Sequence, residues 1–231
     1  MPKPRKASSK RGFVRRLIRK ILLGVALLYG CAVGSLLILR WVNPPTTAVQ
    51  TQRRIESWSG KASYAKRYTP VPLARISPHL QHAVIAAEDG HFYKHHGFDW
   101  GQIREAVEDK LEDGRLRGAS TITQQLVKNL FLTTRGSFIR KGVEATLVPP
   151  AEIILGKRRI LELYLNVIEW GPGVYGAEAA AQYHYGVPAA RVDREQAARL
   201  AAVLPSPRRR KPARMSQYSS IILERMSQAG W

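Results

Sequence analysis

The sequence has a single cysteine, Cys31, among 231 residues. That excludes an intramolecular disulfide framework and any zinc module built on paired CxxC motifs. Acidic residues are scarce: 17 Asp and Glu stand against 37 Lys and Arg, a net charge of +20. There are no internal repeats, and no segment alternates apolar and polar residues over a strand's length. The chain is too short for two catalytic modules side by side. With 45% hydrophobic residues it can nevertheless bury a core, so global disorder is excluded.

The first twenty residues hold nine bases (Lys3, Arg5, Lys6, Lys10, Arg11, Arg15, Arg16, Arg19 and Lys20) and no acid. The remaining 211 residues carry 28 bases and 17 acids, so the body also favours anionic partners such as phosphates, lipid headgroups or nucleic acid. Ile21 to Leu39 is then a run of nineteen residues without a charge. As a helix it spans roughly 28 Å, close to the hydrocarbon thickness of a bilayer. A buried core helix would keep a polar stripe. A cleavable signal peptide shares the basic start, but this run is long for one, and Arg40-Trp41 follows in place of a small-x-small site. Leu28-Tyr29-Gly30-Cys31 makes a poor lipoprotein box, so Cys31 reads as a lipid-facing or packing residue. The charge asymmetry puts the N-terminus in the cytoplasm and the rest outside the membrane, with Trp41 at the interface. The expected organisation is a basic tail (1–20), a transmembrane helix (21–39), a linker (40–70) and an exported domain (71–231).

Asn43-Pro44-Pro45-Thr46-Thr47 reads as a stiff linker, and nothing up to about Pro72 is strongly periodic. Beyond it the pattern is helical. Ser77-Pro78 predicts a helix start with Leu80, Val84 and Ala87 on one face. Asp99 caps a second helix with the stripe Ile103, Val107 and Leu111, and Ser120 or Thr121 opens a third with Ile122, Leu126 and Leu130. Lys157 to Ile168 carries the clearest apolar side, and Asp193 with Gln196 resembles a capping pair for a last helix. The fold is expected to be mainly α.

Glu88-Asp89 ends an apolar helix face, where partial desolvation raises a carboxyl's pKa toward that of a useful base or acid; a solvated helix end is the plain alternative. Glu88, His91 and His95 are spaced for a metal, but not in HExxH order and without a remote ligand. Arg117-Gly118-Ala119-Ser120-Thr121-Ile122-Thr123-Gln124-Gln125 gathers hydroxyls and free backbone N–H groups at a helix start, suited to an anionic or sugar group or simply to capping. Arg140 and Glu144 share a helix face.

Taken together, Glu88-Asp89-x-x-Phe92-x-x-His95-x-Gly97, Gly118-x-Ser120-Thr121-Ile122-Thr123-Gln124-Gln125, Arg140-Lys141-x-x-Glu144 and Lys157-x-x-Ile160-Leu161-Glu162-x-Tyr164-Leu165-Asn166 stand in the order and spacing of one family. The chain resembles the peptidoglycan glycosyltransferases (glycosyltransferase family 51, lipid II polymerases) from about Val71 to Gln217. Gly171 to Ala180 looks like a fifth motif. The resemblance is to the monofunctional, membrane-anchored type, with no transpeptidase segment following. It implies a lysozyme-like helical domain with a small jaw subdomain, entered through the linker, behind one transmembrane helix of the inner membrane. The catalytic domain would be periplasmic.

By resemblance, Glu88 is the general base that takes the proton of the acceptor's 4-hydroxyl. The acceptor oxygen attacks the anomeric carbon of the growing chain with inversion, and undecaprenyl diphosphate leaves. Lys128 and Arg140 match diphosphate-contacting positions, with Lys141 in support; Glu144 matches a second essential carboxylate that organises these cations or a diphosphate-bound metal. Asp89, Phe92, Ser120, Thr121, Gln124, Gln125 and Asn129 would shape the glycan cleft. No resident cofactor or protein-held metal is expected, although a divalent cation (Mg or Mn) can assist at the diphosphate. Implied partners are lipid II, the growing lipid-linked glycan, the membrane, and cell-wall synthesis or division proteins; nucleic acid is not expected.

Three positions depart from the family pattern. Gly136 stands where an Arg is frequent, with Arg135 one place earlier. Pro149-Pro150 falls in an expected helix and implies a kink or break costing about 3 kcal/mol unless accommodated. Cys31 matches no family role. Two other readings compete. A lytic enzyme would use the same cleft but needs no cations for a diphosphate. A non-catalytic binder of anionic polymers would suit the net charge and Arg208-Arg209-Arg210-Lys211, a run that more often stays solvated or meets lipid headgroups.

Overall fold

The computed structural model describes residues 8–59, 64–113 and 118–231, without the side chains of 8–11 and 113. Most of the basic tail's first residues (Lys3, Arg5, Lys6) and motif residue Arg117 lie outside this set. Among the described residues the protein is mainly helical: α1 (Ser8–Leu39), α2 (Ala48–Trp58), α3 (Pro78–Glu88), α4 (Trp100–Asp113), α5 (Ile122–Phe131), α6 (Phe138–Val167), α7 (Ala177–Tyr185), α8 (Arg194–Ala201) and α9 (Ser216–Gln228).

Local signals act where they are written. Thr121 caps α5 and Asp193 caps α8, each in a reciprocal capping box with the Gln three residues on (Gln124 and Gln196). The core gathers Leu80, Val84, Ile122, Leu126, Leu147, Ile160, Tyr164 and Leu200, all nearly inaccessible, where α5 packs on α6 and α3 on α8 and α9. A three-stranded ribbon closes one side. Its central strand, β3 (Val174–Tyr175), pairs in parallel with β1 (Arg67–Tyr68) and antiparallel with β2 (Glu169–Gly171). Two- and three-residue strands are too short to show alternation, so the sequence pattern does not reveal them.

Three expectations need correction. The segment before Pro72 contains α2, capped by Thr47, whose side chain accepts from Gln50 N. α2 buries only Val49 and Gln50 along its length, too little to mark it as periodic. The stripe expected on α4 is mostly uncovered, with Val107 52% and Leu111 80% exposed. The expected break at Pro149-Pro150 does not occur there: both prolines lie inside α6, and its one non-helical residue is Gly156 (φ +70°, ψ 161°). A left-handed φ is open to glycine without a Cβ penalty, so the chain turns at Gly156.

α1 is the one helix among the described residues long and apolar enough to cross a membrane, over Gly12–Leu39. Most of it stands clear of the protein, but Leu36 and Leu39 are buried in the common core. Cys31 is exposed and unpaired.

Candidate active site

Glu88 is the last residue of α3, placed there by a helix whose inner face (Leu80, Ala83, Val84) is fully buried. Its Oε2 accepts from Gln125 Nε2 on α5 at 2.7 Å. Burial pushes its pKa up, and the neighbouring Asp89 adds to this; the Gln125 bond and the charges of Lys128 and Arg210 act in the opposite direction. A half-buried carboxylate held so is avid for protons.

Gln125 is itself held. Its Oε1 accepts from the fully buried Tyr164 hydroxyl at 2.9 Å, and its Nε2 also meets the Ser120 carbonyl at 3.3 Å. A carbonyl can only accept, so the amide's orientation is determined.

Asp89, next in the chain, is buried. Its Oδ2 accepts from Ile122 N at 2.9 Å, next to the N-cap of α5, and its Oδ1 meets His95 Nε2 at 2.8 Å. His95 Nδ1 accepts from Gly97 N at 3.1 Å, so the imidazole proton sits on Nε2 and is donated to Asp89. The Gly97 carbonyl accepts from Thr121 Oγ1 at 2.7 Å. Gly97 has φ +94°, and a Cβ there would overlap Val148 Cγ1 on α6. The loop 89–97 is thereby fastened to α5 and α6. Phe92 is also fully buried, with Lys157 Nζ 4.5 Å from its ring centroid; Lys157 and Thr123 both donate to Glu152 Oε1, at 2.8 and 2.6 Å.

The basic cluster comes from α5 and the first turns of α6. Glu144 is buried; its Oε2 meets Arg140 Nη1 at 2.9 Å and its Oε1 meets Lys141 Nζ at 2.5 Å. Lys141 also donates to Ser120 Oγ at 3.2 Å. The Lys128 ammonium makes no hydrogen bond or ion pair among the described residues. Burial lowers its pKa, as do Arg140 and Lys141, while Glu144 and Glu88 act to raise it. Lys128 therefore lies within electrostatic reach of both carboxylates. The buried Nε of Arg140 has no acceptor among the described residues. Donors left unused beside three cations suit an anionic ligand.

Of the residues singled out in the sequence, Glu88, Ser120, Gln125, Arg140, Lys141 and Glu144 form one connected hydrogen-bond network, with Lys128 in electrostatic reach of it. Asp89, Phe92, Thr121, Gln124 and Asn129 are buried behind it, Asn129 donating to the Gln125 carbonyl at 2.8 Å. Gly136 and Arg135 are exposed. The spacing of Glu88, His91 and His95 does not assemble a metal site: His91 pairs with Asp99 at 2.9 Å and His95 with Asp89. Ligand atoms of Asp89, His95 and Asp99 do lie within 4.8 Å of one another, but each residue is already engaged by protein hydrogen bonds.

Two contributors, Tyr164 of the fourth motif and Arg210, are given no role at the site by the sequence. Tyr164 looks like an ordinary member of an apolar helix face until the fold sets it against Gln125. Arg210, from the run read as solvated, is half-buried, donates to the Ala202 carbonyl at 2.9 Å and lowers the pKa of Glu88.

The transglycosylase family model matches residues 53–227. The chain belongs to the transglycosylase family. It is 45% identical over 218 residues to the biosynthetic peptidoglycan transglycosylase of Pseudomonas entomophila, covering 94% of this chain and 88% of that one. It is 44% identical over 224 residues to the protein of the same name from Ectopseudomonas mendocina, covering 94% and 91%. Against the Pseudomonas aeruginosa relative it is 44% identical over 208 residues, covering 90% and 88%. The family match begins within α2 and so includes the second half of the helix that sequence periodicity overlooked.

Proposed function

We propose that this chain is a membrane-anchored peptidoglycan glycosyltransferase that elongates glycan strands from lipid II. The observation that carries the reading is Lys128: a poorly solvated cation with no hydrogen-bond partner, in reach of the proton-avid Glu88 on one side and the Arg140–Lys141–Glu144 group on the other. One site thus pairs a base with a receptor for a departing polyanion.

In this reading Glu88 accepts the proton of the acceptor 4-hydroxyl as that oxygen forms a bond to the anomeric carbon of the donor. The bond from that carbon to the diphosphate oxygen breaks, the oxygen leaves with the electron pair, and the configuration inverts from α to β. Charge grows on the leaving oxygen, where Lys128, Arg140 and Lys141 stabilise it. Both oxygens of Glu144 are engaged by cations, so it fits a residue that holds Arg140 and Lys141 in place better than a metal ligand. Any divalent cation at the diphosphate is then an ion brought by the substrate, and no step depends on a protein-held metal.

A strand-cutting enzyme could use Glu88, with its raised pKa, as a general acid, but it has no use for the cation cluster. Incubation with labelled lipid II in detergent is the test, and a glycan ladder that lysozyme digests is the expected product. No ladder, with cutting of finished strands, would move the assignment to a hydrolase.

The proposal includes orientation: α1 crosses the inner membrane once, with its basic end in the cytoplasm and the catalytic domain in the periplasm. Protease added outside spheroplasts should digest the domain and spare the N-terminal end. The opposite pattern would refute it.

A further inference from the structure

α1, with Arg40 directly after it, exchanges three side-chain to backbone-carbonyl hydrogen bonds with α6. Proline has no N–H, so Pro150 leaves the carbonyl of Thr146, four residues earlier, without its helical partner. That carbonyl accepts from the Tyr29 hydroxyl of α1 at 2.9 Å. Two residues before the turn at Gly156, Ile154 O accepts from Arg40 Nη1 at 3.3 Å. At the end of α1, Leu39 O accepts from Arg159 Nε at 2.8 Å.

Tyr29 lies ten residues before Leu39, about 15 Å back along the helix axis, so the joint is not confined to the end of α1. In lipid no water is available for a released carbonyl, so a neighbouring helix must supply the donor. Side chains around the joint suit such surroundings: Ile139 and Ile153 of α6 are 83% and 82% exposed.

We infer that Tyr29 and Arg40 are positioning residues that lock the membrane span to α6, so that α1 works as a rigid arm of the catalytic domain and not as a tether. Arg140 and Lys141 sit on α6 six and five residues before Thr146, about 8–9 Å along its axis. Any slip of α6 against α1 displaces them relative to the bilayer. The lock therefore fixes the cation cluster relative to the membrane span, and with it the approach of a lipid-linked diphosphate to that cluster. This goes beyond the proposed activity and can be read without turnover.

The test uses the full chain in phospholipid vesicles, as wild type, Tyr29→Phe, Pro150→Ala and the double variant. Spin labels at positions 28 and 153, with Cys31→Ser, report the width of the α1–α6 distance distribution; consumption of lipid II reports rate. Tyr29→Phe should broaden the distances and slow consumption about two- to ten-fold, the loss expected for one uncharged hydrogen bond. Pro150→Ala restores an N–H to the Thr146 carbonyl, so in that background Tyr29→Phe should add almost nothing to either readout. Unchanged distances for Tyr29→Phe overturn the lock. Broadening of equal size in the Pro150→Ala background assigns the effect to ring packing and overturns it too. Broadened distances with an unchanged rate overturn the positioning role.

Discussion

Gln125 Nε2 donates to Glu88 Oε2 across 2.7 Å while the buried Tyr164 hydroxyl holds the other end of the same amide. The carboxylate is thereby aimed by a side chain that cannot rotate without giving up a buried hydrogen bond. Burial raises the proton affinity of Glu88, and this bond restrains the rise.

Glu88→Gln keeps the size and the fold but cannot take a proton. General-base assistance is typically worth about 10²–10⁴-fold, so the rate of lipid II consumption should fall by that order. Thermal unfolding should be near that of wild type. A near-normal rate would remove Glu88 from the role of base.

The acid side of the pH–rate profile should lie above 4.5, the ordinary glutamate value, because the base must be ionised and burial disfavours that. Gln125→Leu removes a bond that lowers this pKa, so the limb should move to higher pH. The folded state binds the Glu88 proton more tightly than the unfolded chain, so this group's contribution to stability is present below 4.5 and is lost as pH rises through the folded value. A limb that stays put, or moves down, contradicts the assignment.

Lys128→Met and Arg140→Ala each remove a charge-assisted contact worth about 1.5–3 kcal/mol, or roughly 10- to 150-fold in polymerisation rate. Arg140→Lys should recover little, because a forked donor becomes a point charge. Measured beside these rates, strand cleavage by wild type should be negligible. Unchanged polymerisation in both variants would falsify the diphosphate role.

Gly97→Ala should destabilise the fold. A non-glycine residue held at φ +94° costs about 1–3 kcal/mol, and overlap with Val148 adds about 1–3 kcal/mol more. The melting temperature should drop by at least about 4 °C. An unchanged melting temperature would show that the 89–97 loop can rearrange freely.

A chain starting at residue 41 loses Leu36 and Leu39, which are 0% and 8% exposed in the core. A chain starting at residue 31 keeps both. Deleting one such leucine side chain typically costs about 2–5 kcal/mol, so the shorter chain should unfold at a clearly lower temperature in detergent. Equal melting temperatures would mean that the end of α1 is dispensable to the core.

The sequence by itself determined what depends on neighbours along the chain. An uncharged run is long enough to span a bilayer whatever surrounds it, and Thr121 with Gln124 or Asp193 with Gln196 closes a helix start within four residues. The ordered motifs were equally legible and named the residues of the basic cluster. Only the tertiary structure decided which apolar stripes are covered, since Val107 and Leu111 of α4 carry a core-like spacing and yet remain exposed. It also decided where α6 bends. Pro149-Pro150 is a breaker on local grounds, but the Thr146 carbonyl it releases is met by Tyr29, 117 residues away, and Gly156 makes the turn instead. Hydrogen bonds of that sequence separation depend on the packing of whole helices, which no local pattern encodes. The same holds for Tyr164 and Arg210, whose influence on Glu88 exists only once α6 and the chain beyond α8 are folded against α3 and α5.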